Sequence, residues 1–169
     1  MSVVQNIRMV PVSQVSTTEL KKFYQVAFPS RAEVLYSNWD WYYGSWFTEN
    51  TDRWPLVAIN GGGKIIGYVS TIPTLFNICG SNIQGAWFVD YFVSPEARGV
   101  GIGGRLIRRV MEAAPVMIAI GASDYSLPIF RKYGWIEAPG TRRFSIIFRP
   151  GDFYSPSKTG QGIGLRVFD

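Results

Sequence analysis

Val93-Ser94-Pro95-Glu96-Ala97-Arg98-Gly99-Val100-Gly101-Ile102-Gly103-Gly104-Arg105-Leu106 is the stretch on which the reading of this chain turns. An apolar run precedes it. An amphipathic pattern follows, with Ile102, Leu106, Val110 and Ala114 at four-residue steps and Arg105, Arg108, Arg109 and Glu112 facing out, which predicts a helix within residues 99–114. A glycine-rich loop between strand and helix exposes unpaired amide N–H groups at the positive end of the helix dipole, with no Cβ atoms in the way. It suits a phosphate or pyrophosphate. The bland alternative is a turn with no ligand, but Arg98, Gly99, Gly101, Gly103 and Gly104 exceed what a turn requires. A Walker-type loop is excluded, because Gly104 is followed by Arg105-Leu106 where Lys and Ser or Thr should grip phosphate and magnesium. Residues 99–104 do satisfy Gly-x-Gly-x-x-Gly, and Asp124 lies about 20 residues on, as a dinucleotide fingerprint asks. The setting is wrong for that motif: Pro95-Glu96-Ala97-Arg98 separates strand from loop, and too little chain follows for the remaining βαβ units.

Upstream, residues 7–12 alternate as a short strand would. Ser16-Thr17-Thr18-Glu19 offers a capping signal before Leu20, Phe23, Tyr24, Ala27 and Phe28, an amphipathic helix ending near Pro29. Residues 30–50 again suit a helix, and residues 36–54 hold eight aromatics, among them Trp39, Trp41 and Tyr43. Asn60-Gly61-Gly62-Gly63 between two apolar runs is a hairpin signal, because such a turn demands positive φ. Residues 75–79 and 86–93 read as further strands, and Pro95 ends the second. Downstream, residues 116–120 are short and apolar enough for a buried strand. Pro128 opens a short helix that stops at Gly134, residues 143–148 form one more strand, and residues 163–168 offer a last one.

The chain has 169 residues, a net charge of +5, one cysteine and no histidine. Without imidazole, Ser-His-Asp and Cys-His mechanisms, a histidine base and histidine-bearing zinc sites are all excluded. Catalysis must rest on carboxylates, tyrosines, backbone dipoles or a cofactor. One domain of this size buries roughly 70% of its unfolded surface, so no disulfide or metal is needed for stability. Cys79, near a turn and without a cationic neighbour in sequence, is expected to be inert. No leader pattern and no apolar run of about 18 residues is present, so a cytoplasmic protein is expected. The domain is expected over residues 1–150, with residues 151–169 as a C-terminal extension.

Residues 93–106 closely resemble the signature of the GNAT acyltransferase superfamily: Arg or Gln, two residues, Gly, one residue, then Gly or Ala. The agreement continues in an Asp three before the strand-end Val93, an apolar strand after the helix, and Tyr133-Gly134-Trp135 where the family has Gly-Phe. The resemblance covers about residues 56–148. It implies an α/β fold whose mixed, mostly antiparallel sheet splays at the acyl-CoA site between flanking helices. It also implies that acetyl-CoA is the cosubstrate, held by Phe92, Val93, Arg98, Gly99, Val100, Gly101, Gly103 and Gly104. A backbone N–H near Phe92 or Val93 is the implied oxyanion donor, which needs no histidine.

Acyl transfer also needs a base and relief of the leaving thiolate. Asp90 is the candidate base, a carboxylate in the otherwise apolar strand Trp87-Phe88-Val89-Asp90-Tyr91-Phe92-Val93; it could equally cap a turn or meet an arginine. Many family members carry a tyrosine beside the coenzyme A sulfur at the position of Phe130, a departure that leaves Tyr125 as the candidate acid, with Tyr133 and Tyr91 nearby. Trp39, Trp41 and Tyr43 are candidates for binding an acceptor, a small molecule or peptide, although a helix buried by its aromatics explains them as well. The expectation is direct acetyl transfer to an amine or hydroxyl, without metal, nucleic acid or membrane, and with oligomeric state unassigned. The alternative is a module of the same fold that binds acyl-CoA with little or no turnover.

Overall fold

A computed structural model describes residues 6–43 and 55–138. The chain divides into two compact units, Met1–Ile136 and Glu137–Asp169, and every element below lies in the first. In order they are β1 (Arg8–Pro11), a 3-10 turn (Val12–Gln14), α1 (Thr17–Ala27), α2 (Ala32–Ser37), α3 (Trp39–Tyr43), β2 (Leu56–Ile59), β3 (Ile65–Ile78), β4 (Ser81–Val93), a 3-10 turn (Pro95–Ala97), α4 (Ile102–Met111), β5 (Met117–Ala119) and α5 (Leu127–Lys132). The strands expected at residues 143–148 and 163–168 fall outside the described residues.

The five strands form one sheet in the order β1-β2-β3-β4-β5, antiparallel except for the parallel β4–β5 pair. The mixed, mostly antiparallel α/β architecture is thus as the sequence indicates. β2 explains the layering. Its four residues are all buried, Leu56 and Ala58 against α4 and Val57 and Ile59 against α1, so helices must cover both faces. Leu56, Val57 and Ile59 each contribute roughly 1.5–3 kcal/mol by leaving water, and the Ala58 methyl under about 1 kcal/mol. α4 presses close: a Cβ at Gly67 would lie 3.0 Å from Leu106 Cδ1 and 3.1 Å from Ile102 Cγ2.

A local signal sets the start of α1. Ser16 Oγ accepts from the Glu19 N–H at 3.2 Å and starts α1. The Glu19 carboxylate instead reaches across the chain to accept from the Ile65 N–H at 3.1 Å. The single helix expected over residues 30–50 is two short ones, because Asn38 bonds back through Nδ2 to the Val34 carbonyl and breaks the run. Residues 44–54 of that stretch lie outside the described residues. The strand expected at residues 75–79 is the end of a 14-residue β3. Pro73 is tolerated within it, since its partner Ala86 sends its own N–H to the Val116 carbonyl and the pair needs no donor from proline. The short apolar run at β5 is half-exposed, with Ile118 pointing out.

Candidate functional site

The sheet opens at β4. β5 pairs with it only through Ala86, Trp87 and Phe88, so from Val89 to Val93 its outer edge has no strand partner among the described residues. On the other edge Val93 lies opposite Gly67, and the next residue, Ser94, donates its N–H to the Ile66 carbonyl at 2.9 Å. Antiparallel alternation therefore turns the Val93 N–H and C=O away from β3, into the opening. A bulge precedes this: Asp90 and Tyr91 together oppose Val69, and Asp90 adopts φ +48.

The glycine loop begins where the strand ends. Arg98 folds back so that its Nε donates to the Val93 carbonyl at 3.1 Å, and Lys64 pairs with Glu96 at 2.9 Å. Gly101, at φ +83, caps α4 without any side-chain bond, which leaves the first-turn amides to a ligand. A Cβ at Gly99 or Gly101 would meet nothing, whereas at Gly103 it would strike the Tyr91 hydroxyl and at Gly104 the Tyr133 hydroxyl. Only the first two glycines open outward. The other two admit tyrosines from beneath.

A cavity of about 460 Å³ lies against this loop. Of the eight residues expected to hold the coenzyme, seven line it; Val100 is the exception, half-exposed on the loop. Tyr91, Ser123, Ser126, Ile129, Lys132 and Tyr133 line it too, as does the candidate acid Tyr125, which is 87% exposed. Phe130 does not. It is buried, edge-on to Phe88 at 5.1 Å and beside Trp135 at 4.8 Å. Ser123 and Ser126 escaped sequence reasoning, although a serine-rich run before Pro128 is a recognisable helix-start signal. Besides Ser123 and Ser126, the polar side chains lining the cavity belong to Arg98, Lys132 and three tyrosines, and with the glycine-loop amides they suit an anionic ligand with amide groups, as coenzyme A is.

Asp90 lies on the α1 side of β4. Its side chain is only 5% exposed and its Oδ1 accepts from Arg31 at 2.7 Å, while Arg31 is half-exposed. Both bland roles are thus present, a turn-like conformation and an arginine partner. Beside it is a buried set of hydroxyls. Tyr24 and Tyr68 share a hydrogen bond of 2.8 Å, Tyr43 donates to Ser70 at 3.0 Å, and Ser70 donates to the Val89 carbonyl at 3.1 Å. Burial pushes Tyr43 up to about 12, and pushes Tyr24 and Tyr68 well above the usual tyrosine value. The three expected acceptor aromatics part company here. Tyr43 is buried in this network, Trp39 packs on it at 4.6 Å, and Trp41 stands 76% exposed against Tyr42; none lines the cavity. Among the described residues no cluster of acidic or cysteine side chains could hold a metal ion, and no helix is long and apolar enough to cross a membrane.

The acetyltransferase (GNAT) family model matches residues 17–134. No curated protein matches the chain. Among solved structures, an aminoglycoside antibiotic 6'-N-acetyltransferase from Acinetobacter baumannii is 19% identical, with a TM-score of 0.61 over 85% of this chain and 99% of that one. A predicted acetyltransferase from Clostridium acetobutylicum, solved with acetyl-CoA, is 15% identical, with a TM-score of 0.59 over 83% and 95%. An acetyltransferase from Trypanosoma brucei is 21% identical, with a TM-score of 0.55 over 83% and 99%. At these identities the likeness is one of fold.

Proposed function

The chain belongs to the acetyltransferase (GNAT) family, and from that premise we propose that it transfers acetyl from acetyl-CoA directly to an amine or hydroxyl of a small-molecule or peptide acceptor. Acetyl-CoA supplies the acetyl group as an activated thioester. The observation that carries the proposal is the uncapped start of α4 facing a cavity beside Val89–Val93, where β4 runs on past its pairing with β5.

In this mechanism the amides of the loop and of the first turn, with Arg98, bind the pyrophosphate. The Val93 N–H, turned into the opening, is a better oxyanion donor than that of Phe92, whose place opposite Tyr68 points it toward β3. Asp90 accepts the acceptor's proton, with Arg31 fixing its orientation. Tyr125 serves the leaving thiolate, and Trp39, Trp41 and Tyr43 form the acceptor side. Transfer is direct in this reading, since among the described residues no activated nucleophile adjoins the cavity. No metal, nucleic acid or membrane takes part, the domain spans residues 1–150, and the setting is the cytoplasm.

The test is calorimetric titration with acetyl-CoA followed by thiol release across a panel of amines and sugars. Saturation at 100 times the dissociation constant should raise stability by about 2.7 kcal/mol. Absence of binding refutes the proposal. Binding without thiol release for any acceptor favours the second reading, a coenzyme-binding module without turnover, which the buried hydrocarbon ring of Phe130 supports.

A further inference from the structure

Two buried side-chain polar atoms have no hydrogen-bond partner among the described residues, Tyr91 Oη and Trp135 Nε1. Only Tyr91 lines the cavity. A buried hydroxyl without a partner is unfavourable, and phenylalanine would fill the same apolar space without that cost, so the oxygen at this position asks for a ligand.

The place it occupies is specific. The ring leaves β4 just after the bulge and packs on Phe88 at 5.8 Å and Phe130 at 6.2 Å, which fixes its direction. Its hydroxyl then ends against the first turn of α4, in the volume that a Cβ on Gly103 would need. The next nearest atoms, Tyr91 Cζ and Val93 Cγ2, are both at 3.5 Å from that missing Cβ, ordinary contact distance. One oxygen atom therefore keeps even an alanine Cβ out of position 103. Burial pushes Tyr91 up to about 12, so it stays protonated, and therefore a donor, at any working pH.

Building on the coenzyme reading of the cavity, we propose that Tyr91 Oη is a fixed hydrogen-bond donor to an acceptor oxygen of bound coenzyme A beside the α4 N-terminus, and that Gly103 is glycine in order to admit it. The acceptor is either a phosphate oxygen or an amide carbonyl of the pantetheine arm. Tyr91 is on this view a binding residue. A proton held as tightly as this one is poorly matched to a thiolate and is not passed on.

The experiment combines Tyr91→Phe and Gly103→Ala, singly and together, with calorimetric titration of coenzyme A and thermal unfolding without ligand. Tyr91→Phe should weaken coenzyme A binding about tenfold while leaving the unliganded midpoint equal or higher. Titration with ADP and with pantetheine then locates the acceptor, since only the fragment carrying it loses affinity. Gly103→Ala alone should lower the midpoint. In the Tyr91→Phe background the same change should leave it equal or raise it, because alanine favours helix over glycine once the hydroxyl is gone. Equal coenzyme affinity in wild type and Tyr91→Phe overturns the proposal and leaves the acetyltransferase reading standing. An equal loss from Gly103→Ala in both backgrounds overturns the account of Gly103. Failure of wild-type protein to bind coenzyme A overturns both.

Discussion

The two faces of β4 are built on different principles. On the α4 face the groups offered to a ligand are mostly backbone amides, exposed by Gly101 in its left-handed conformation and by a helix that lacks a side-chain cap. On the α1 face they are side chains that satisfy one another: Asp90 with Arg31, Tyr24 with Tyr68, Tyr43 with Ser70. The first face has unmet hydrogen-bonding capacity directed at a cavity. The second spends its capacity internally. Under the proposed function the α4 face takes the anionic cosubstrate, which suits a backbone site since amides do not vary with sequence, and the α1 face takes the acceptor, where side chains distinguish one protein from another.

The sharpest way to break that contrast is at the bulge, where the two faces meet. Asp90→Asn keeps a side chain that tolerates φ +48, so the backbone should hold. If Asp90 removes the acceptor's proton, the rate should fall by about 10²–10⁴-fold with coenzyme affinity unchanged. Steady-state kinetics beside calorimetry checks this. An equal fall in coenzyme affinity would instead make Asp90 a prop for the coenzyme edge of β4.

Packing provides the next largest effect. Leu106 is fully buried in the α4 face, and Leu106→Ala should cost about 2–5 kcal/mol in denaturant unfolding. Tyr68→Phe on the opposite face removes a single oxygen and leaves the Tyr24 hydroxyl without its partner, at about 1–3 kcal/mol. A reversal of that order would place the stability of the domain in its hydroxyl network.

The same division explains what could be read before the structure. The glycine loop, the α4 stripe, the Ser16 cap and the Gly134 stop are local, each spelled within a few consecutive residues, and the fold and the residues around the cavity followed from them. The hydroxyl network and the ion pair join residues 44, 27 and 59 positions apart, and no spacing rule connects Arg31 to Asp90. The aromatic stretch around residues 39–43 was legible as composition but not as placement. Composition suggested three equivalent binding aromatics, but a helix turning about 100° per residue sends neighbours in different directions, and Trp41 and Tyr43 ended with opposite exposures. Phe130 was legible as a substitution. That Tyr91 brings its ring against Phe130 and its hydroxyl against Gly103 could emerge only once strand and helices were packed together.

Alkaline titration probes the buried hydroxyls directly. Tyr43 and Tyr91 are raised to about 12, against about 10 unfolded, so between these values the unfolded chain releases protons that the native state retains. Their contribution is complete below pH 10 and is lost as pH rises toward 12, on the order of 2 kcal/mol for Tyr43. Tyr24 and Tyr68 extend the loss in the same direction. Phenolate absorbance from these residues should therefore appear together with unfolding. Their titration in the folded protein near pH 10 would show that the network opens to water.

The smallest effects lie within the glycine loop, and comparing two of them tests whether backbone or side chains shape it. Gly101→Ala forces a Cβ into the left-handed region at φ +83 and should cost about 1–2 kcal/mol, with a matching loss of coenzyme affinity. Glu96 is lowered by its bond to Lys64, so the pair contributes above the unfolded carboxylate value and fades as pH falls through the folded one. Both partners are more than one-third exposed, and water screens them. Glu96→Gln should consequently change stability by less than about 0.5 kcal/mol and leave coenzyme affinity intact. If calorimetry instead found Glu96→Gln as damaging as Gly101→Ala, the ion pair would be holding the loop, and the amides of α4 would depend on side chains in the way the opposite face does.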